Sequence, residues 1–251
     1  RELNIRSAMV LLSPYIITLI VYILFRQSIM PVPGDLTLEL ADNMLIDADL
    51  SLRFGTPLAV LLKYLKLLFV PYPLCWDYSY AQLPYYEIYS IEPLSSIFIH
   101  LIILITGIHF LIKRHIIGFG ILFYFITLML TANIFMLVGV NMAERFLFVP
   151  LLGFVIILVY IIFKYLKTRV AITINIIICL VFCIMTFEQN KVWKDNLSLF
   201  EHGSKISPYS TRTQVGLGGE LYRLSRIEND QNKKLAYINR SIEPLKKSIE
   251  I

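Results

Sequence analysis

Five stretches of this sequence are almost purely apolar: 7–25, 93–112, 116–138, 146–166 and 170–187. Crossing a hydrocarbon core of ~30 Å takes about 20 helical residues, and each stretch is close to that length and nearly free of charge inside. Over such a length only a helix satisfies its own backbone polar groups in lipid, so all five are predicted to be transmembrane helices. A sixth stretch, 57–75, differs because Lys63 and Lys66 share a helical stripe with Ala59 and Val70, while Leu and Phe cover the rest. That pattern predicts an amphipathic helix lying in the membrane interface, with a sixth span as the alternative. Beyond residue 187 the hydropathy drops. Trp193, Leu197 and Phe200 recur at helical spacing within 189–200, Pro208 breaks the chain, and 211–224 and 234–249 read as two helices around a polar turn at 228–232.

Composition strengthens this reading, with 57% of residues hydrophobic and a net charge of +5. A soluble domain of this length could not hide that much apolar surface. No stretch reads as a cleaved signal peptide, and the Arg1 start reads as a piece of something longer. Three cysteines, Cys75, Cys179 and Cys183, give no disulfide framework; the last two read as buried, inert thiols on one helix face. The basic residues collect at span ends and not in a patch, which argues against a nucleic-acid partner.

That charge placement also predicts orientation. Arg1 and Arg6 precede the first span, Lys113 and Arg114 join the second to the third, and Lys164, Lys167 and Arg169 join the fourth to the fifth. Lys and Arg are retained on the cytoplasmic side, so 26–92, the link 141–145 and everything after residue 188 are expected to face outward. A spanning 57–75 would break this parity.

The outward loop is rich in candidate chemistry. It carries Asp35, Glu39, Asp42, Asp47, Asp49, Asp77, Glu87 and Glu92 against Arg26, Arg53, Lys63 and Lys66, and then the run PYPLCWDYSYAQLPYYEIY. Aromatics with a polar tip favour the headgroup level, and the same residues beside carboxylates also suit a sugar or a lipid-linked headgroup. Glu144 and Arg145 sit at the outer end of a span. Adjacent helical residues do not face each other, so each needs its own partner. Arg145 either snorkels to headgroups or grips a phosphate bidentately. His100 and His109, within a span, read as polar packing residues. No phosphate loop, dinucleotide fingerprint or zinc spacing occurs.

The strings ADNMLIDADLSLRF, KYLKLLFVPYPLCWDYSYAQLP, NMAERFLFVPLLGF and NKVWKDNLSLFEHGSKISP occur in that order, with spans between them. As a set they resemble bacterial relatives of the transmembrane and tetratricopeptide-repeat O-mannosyltransferases, members of the GT-C superfamily of polytopic glycosyltransferases. The resemblance covers nearly the whole chain. It implies cofactor- and metal-independent transfer of a mannose-like sugar from a polyprenyl-phosphate carrier to a protein Ser or Thr, with repeats after the membrane domain recognising the acceptor. Residues 1–187 would then be the C-terminal part of the membrane domain and 188–251 the opening of a tetratricopeptide-like domain. The family's catalytic acid, in the first outward loop, matches no residue here and is expected upstream of Arg1. The family-typical positions are Asp42, Asn43, Arg53, Asp77, Tyr78, Glu144 and Arg145. By resemblance Arg145 would bind the carrier phosphate, Glu144 would orient it or a sugar hydroxyl, Asp77 and Tyr78 would shape the sugar or acceptor side, and Lys63 and Lys66 would meet anionic headgroups.

The expected architecture is therefore an all-α polytopic membrane protein, in a bacterial inner membrane with loop and tail periplasmic, or in the endoplasmic reticulum with a lumenal tail. The competing functions are a non-catalytic membrane scaffold with protein-binding repeats and a lipid-linked sugar transporter. A transporter calls for broken helices with polar groups at mid-membrane, of which the sequence offers few.

Overall fold

The computed structural model describes residues 5–29, 40 and 42–251, and every regular element among them is helical. Arg1, Asp35 and Glu39 lie outside the described residues. The chain divides into two compact units, 1–37 and 38–251. The first holds α1 (Ile5–Ile29), whose hydroxyls at Ser13, Thr18 and Ser28 bond back to their own helix and whose side chains from Met9 onward are exposed. An apolar helix whose described side chains are exposed suits lipid.

The second unit contains α2 (Leu50–Phe69), α3 (Ile91–Ile112), α4 (Ile116–Met129), a 3₁₀ turn (Glu144–Leu147), α5 (Pro150–Tyr165), α6 (Thr168–Val192), α7 (Asn196–Ile206), α8 (Thr211–Ile227) and α9 (Gln231–Glu250). Among the described residues three helices are long and apolar enough to cross a membrane, Met9–Ile29, Ile91–Ile112 and Thr168–Val192. Two further apolar helices, α4 and α5, are shorter. The molecule is a polytopic helical membrane protein.

The stretch 116–138 departs from the expected single span. Its helix ends at Met129 after 14 residues, about 21 Å of rise, and the chain then runs irregularly to Ala143. Backbone outside a helix survives at such depth only where protein satisfies it. Here asparagines do so. Asn133, in the left-handed region at φ 59°, accepts from the Val138 N–H (2.9 Å) and donates to the carbonyls of Val140 (2.9 Å) and Asn141 (3.1 Å). Asn43 donates to the Asn133 side chain (2.9 Å) and to the Val138 carbonyl (2.8 Å). Asn141 accepts from the Met44 N–H at 2.9 Å.

The amphipathic helix is also displaced, to Leu50–Phe69 in place of 57–75. Asp49 caps its start by accepting from the Leu52 N–H, and Pro71 and Pro73, which lack an N–H, cannot continue the helix. Its apolar face, with Val60, Leu61, Tyr64 and Leu68, packs into the main core beside Ile121, Tyr124, Phe125 and Leu128 of α4. Lys63 is half-buried and Lys66 is exposed.

Small residues let α4 and α5 approach closely, as membrane helices do. A Cβ on Gly153 would lie 2.4 Å from the Gly120 carbonyl oxygen. In the tail, α6 runs on to Val192, so the amphipathic helix expected over 189–200 is broken after Val192. Asp195 starts α7 with a capping box shared with Ser198. Helices α8 and α9 form an antiparallel pair in which Gly218 faces Leu245. Cys179 and Cys183, expected to be buried, are exposed on α6, the surface that a spanning helix turns to lipid. His100 packs in α3 with Nδ1 2.8 Å from the Ser96 carbonyl and its ring edge-on to Phe125.

Candidate functional site

Past α2 the chain is irregular, with bends at Pro73 and Trp76, and neighbouring residues there take different tasks. The Cys75 N–H and the Tyr78 hydroxyl both donate to Oε1 of Glu144, at 2.7 and 2.5 Å. Asp77 turns toward the tail. Its carboxylate, 5% exposed, accepts from the Ser79 N–H (2.8 Å), the Ser79 hydroxyl (2.7 Å) and the Ser210 hydroxyl (2.7 Å).

Glu144 opens the 3₁₀ turn, just after Ala143, whose N–H donates to the Tyr64 hydroxyl at 3.0 Å. Burial pushes the Glu144 carboxyl above the usual carboxylate range, against the hydrogen bonds from Tyr78 and Cys75 that favour its charged form. Burial and the neighbouring Glu144 push the Tyr78 phenol up in turn. The pair is thus a held carboxyl with both Oε1 partners supplied by the protein.

Arg145 takes no part in these bonds. It is exposed, lies 5.4 Å from the Phe146 ring centroid, and makes no ion pair among the described residues. With Glu144 it borders a cavity of about 190 Å³ whose other walls are Leu74, Cys75 and Trp76 from the segment after α2 and Gln189 and Trp193 from the end of α6. The chain's two tryptophans therefore both face this cavity. Trp76 is fixed from behind by Phe200 of α7 (centroids 5.5 Å apart) and by Gly203, where a Cβ would lie 2.3 Å from the indole nitrogen. A guanidinium, a carboxyl and two indoles around one small cavity can bind an anion and hydroxyl groups together.

The candidate residues separate into three groups. Glu144 and Arg145 border the cavity, and Tyr78 secures Glu144. Asp77 and Asp42 hold the tail, the latter through an ion pair with Arg212. Asn43, with Arg53 donating to the Asn133 carbonyl, holds the irregular segment 130–143. Lys63 and Lys66 lie on α2, away from the cavity walls. Sequence reasoning offered the aromatic run containing Trp76 as one possible binding surface without singling that residue out, missed Gln189, gave Trp193 only a place on an amphipathic helix, and did not single out Asn133, Asn141, Ser210 or Arg212. Two asparagines inside an apolar run were the available signal, since buried polar groups need partners.

Loop and tail are bonded directly. The Ala81 N–H donates to the Tyr209 carbonyl and the Thr211 N–H to the Tyr80 carbonyl, both at 2.7 Å, while the Tyr209 N–H donates to the Gln82 side chain at 3.0 Å.

No family model and no solved structure matches the chain. It is similar to curated proteins. It is 27% identical over 200 residues to "Protein O-mannosyl-transferase TMTC1" of Homo sapiens, covering 74% of this chain and 22% of that protein. It is 31% identical over 163 residues to "Protein O-mannosyl-transferase F38B6.6" of Caenorhabditis elegans, covering 64% and 23%. The Mus musculus TMTC1 protein is 26% identical over 199 residues, covering 74% and 20%. The chain thus spans about a fifth of the length of these relatives.

Proposed function

We propose that this chain forms part of a GT-C membrane glycosyltransferase that moves a mannose-like sugar from a polyprenyl-phosphate carrier to a Ser or Thr of a protein. Two lines support the reading: the relatives named as protein O-mannosyl-transferases and the cavity at Glu144 and Arg145. The observation that carries it is the exposed Arg145 guanidinium, without an ion pair among the described residues, beside a held carboxyl and two indoles.

In this reaction the acceptor hydroxyl oxygen attacks the sugar's anomeric carbon and the bond from that carbon to the phosphate oxygen breaks. The electron pair leaves with the phosphate, and the hydroxyl proton goes to a base. No residue of this chain is assigned that proton. The donor is a phosphodiester with one negative charge, and the leaving phosphomonoester gains charge toward two. A cation at the phosphate therefore binds the leaving state more tightly than the donor, which accelerates transfer. Arg145 supplies it. Glu144 orients a sugar hydroxyl, and the chemistry needs no metal or cofactor.

In our reading Lys113, Arg114, Lys164, Lys167 and Arg169 lie in the cytoplasm, and the cavity and tail face outward, periplasmic in a bacterial inner membrane or lumenal in an endoplasmic reticulum. Lys66 meets anionic headgroups and the tail begins an acceptor-binding repeat array.

The test is equilibrium binding of a short prenyl phosphate and the matching prenyl alcohol to the full-length protein in detergent. Charge-assisted hydrogen bonds contribute about 1.5–3 kcal/mol, so the phosphate is expected to bind at least about tenfold more tightly. Equal binding of both would remove the phosphate site, and binding of neither would favour a non-catalytic scaffold.

A further inference from the structure

We propose that Arg212, in the first turn of α8, is a positioning residue for the candidate site, acting through Asp77 on the segment that forms the cavity wall and holds Glu144. The inference rests on the glycosyltransferase reading for its catalytic consequence, but its structural part stands apart from it.

Asp42 and Asp77 lie on either side of α2 and come together only through the fold. Arg212 pairs with Asp42 through Nη2 and lies 3.9 Å from Asp77 through Nη1. One planar guanidinium thus spans two carboxylates that would otherwise repel each other. Asp77 is the more consequential partner, because it is buried and all its other donors are neutral: the Ser79 backbone and hydroxyl, and the Ser210 hydroxyl. A buried carboxylate stripped of its cation is costly and tends to move toward water. Its two chain neighbours cannot stay in place if it does. Trp76 on one side is a cavity wall, and Tyr78 on the other donates the 2.5 Å bond to Glu144. The backbone exchange between Tyr80–Ala81 and Tyr209–Thr211 fixes where Arg212 starts from. The arrangement makes the tail part of the site's support.

Lysine is a poor substitute because its single ammonium reaches one carboxylate at a time. Arg223 is the natural control. It pairs with Glu220 in the same helix (2.7 Å) and touches no loop residue among its recorded bonds.

Full-length protein labelled with 5-fluorotryptophan reports on the wall through its fluorine resonance at Trp76, assigned with Trp76→Phe. Arg212→Ala is expected to shift that resonance without ligand and to weaken binding of a short prenyl phosphate about tenfold, a change of 1.4 kcal/mol. Arg212→Lys should recover part of both, and Arg223→Ala should change neither. An unmoved Trp76 resonance with unchanged affinity in Arg212→Ala overturns the proposal, as does an equal effect of Arg223→Ala, which would mark general loosening. If Arg212→Ala does not fold, the partial shift in Arg212→Lys decides. If the wild-type protein binds no prenyl phosphate, the phosphate reading fails while the resonance still settles the role of Arg212.

Discussion

Replacing Arg145 with alanine in the full-length protein is expected to lower kcat/KM for transfer from a lipid-phosphate sugar by about 100-fold or more. Removing one preorganised donor to developing charge costs about 10²–10³ in kcat where it has been measured. Arg145 meets the conditions for an effect of that size. It borders the cavity, and no described carboxylate neutralises it. Because charge grows on the phosphate as the sugar leaves, the loss should fall on kcat as well as KM, the signature of an interaction stronger in the transition state. Arg145→Lys should recover part of the rate, since charge remains and the bidentate fork does not. Turnover unchanged in Arg145→Ala would take this residue out of the mechanism.

The second large effect is structural. Asn133→Leu is expected to lower the melting temperature by about 10 °C or more, taking about 1–3 kcal/mol for each buried polar group left unpaired and about 2–4 °C per kcal/mol at this chain size. The side chain is 1% exposed and joins four partners: the Asn43 amide, the Val138 N–H and the Val140 and Asn141 carbonyls. Leucine fits the apolar surroundings yet removes a bond from all four, and it resists the positive φ at this position. Asn133→Gly relieves the φ without restoring the bonds, so it should be nearly as damaging. A melting temperature within a degree or two of wild type would show that segment 130–143 is held by packing alone.

Much of the fold was legible from periodicity and charge. The long apolar runs became α1, α3 and α6, and the α8–α9 pair lies within a few residues of its expected limits, because local pattern governs long helices. The stretch 116–138 was misread because hydropathy cannot distinguish a spanning helix from irregular backbone that folded asparagines satisfy. The 57–75 helix was placed late because Asp49, the residue that starts it, was counted only as an acidic loop residue. At the site, Glu144 and Arg145 stood out as a charged pair at a span end; Glu144 has its own partners in Tyr78 and Cys75, while Arg145 borders the same cavity without an ion pair among the described residues. The roles of Asp77 and Asp42 were not legible. Their partner Arg212 is remote in sequence, and only the docking of tail on loop brings it to them. The aromatic run around Trp76 was legible as a possible binding surface, but its meeting with Gln189 and Trp193 was hidden for the same reason, since they come from a segment brought to it by the fold.

The account depends above all on loop and tail sharing one side of the membrane, opposite the basic turns. Single cysteines at Glu87, Asn229 and Lys113, introduced after Cys75, Cys179 and Cys183 are replaced by alanine, can be labelled from one side with a membrane-impermeant maleimide. Glu87→Cys and Asn229→Cys should react together from the outer face, with Lys113→Cys protected until the membrane is permeabilised. Labelling of the Glu87 and Asn229 positions from opposite faces would contradict the bonded loop–tail junction and dismantle the cavity built on it.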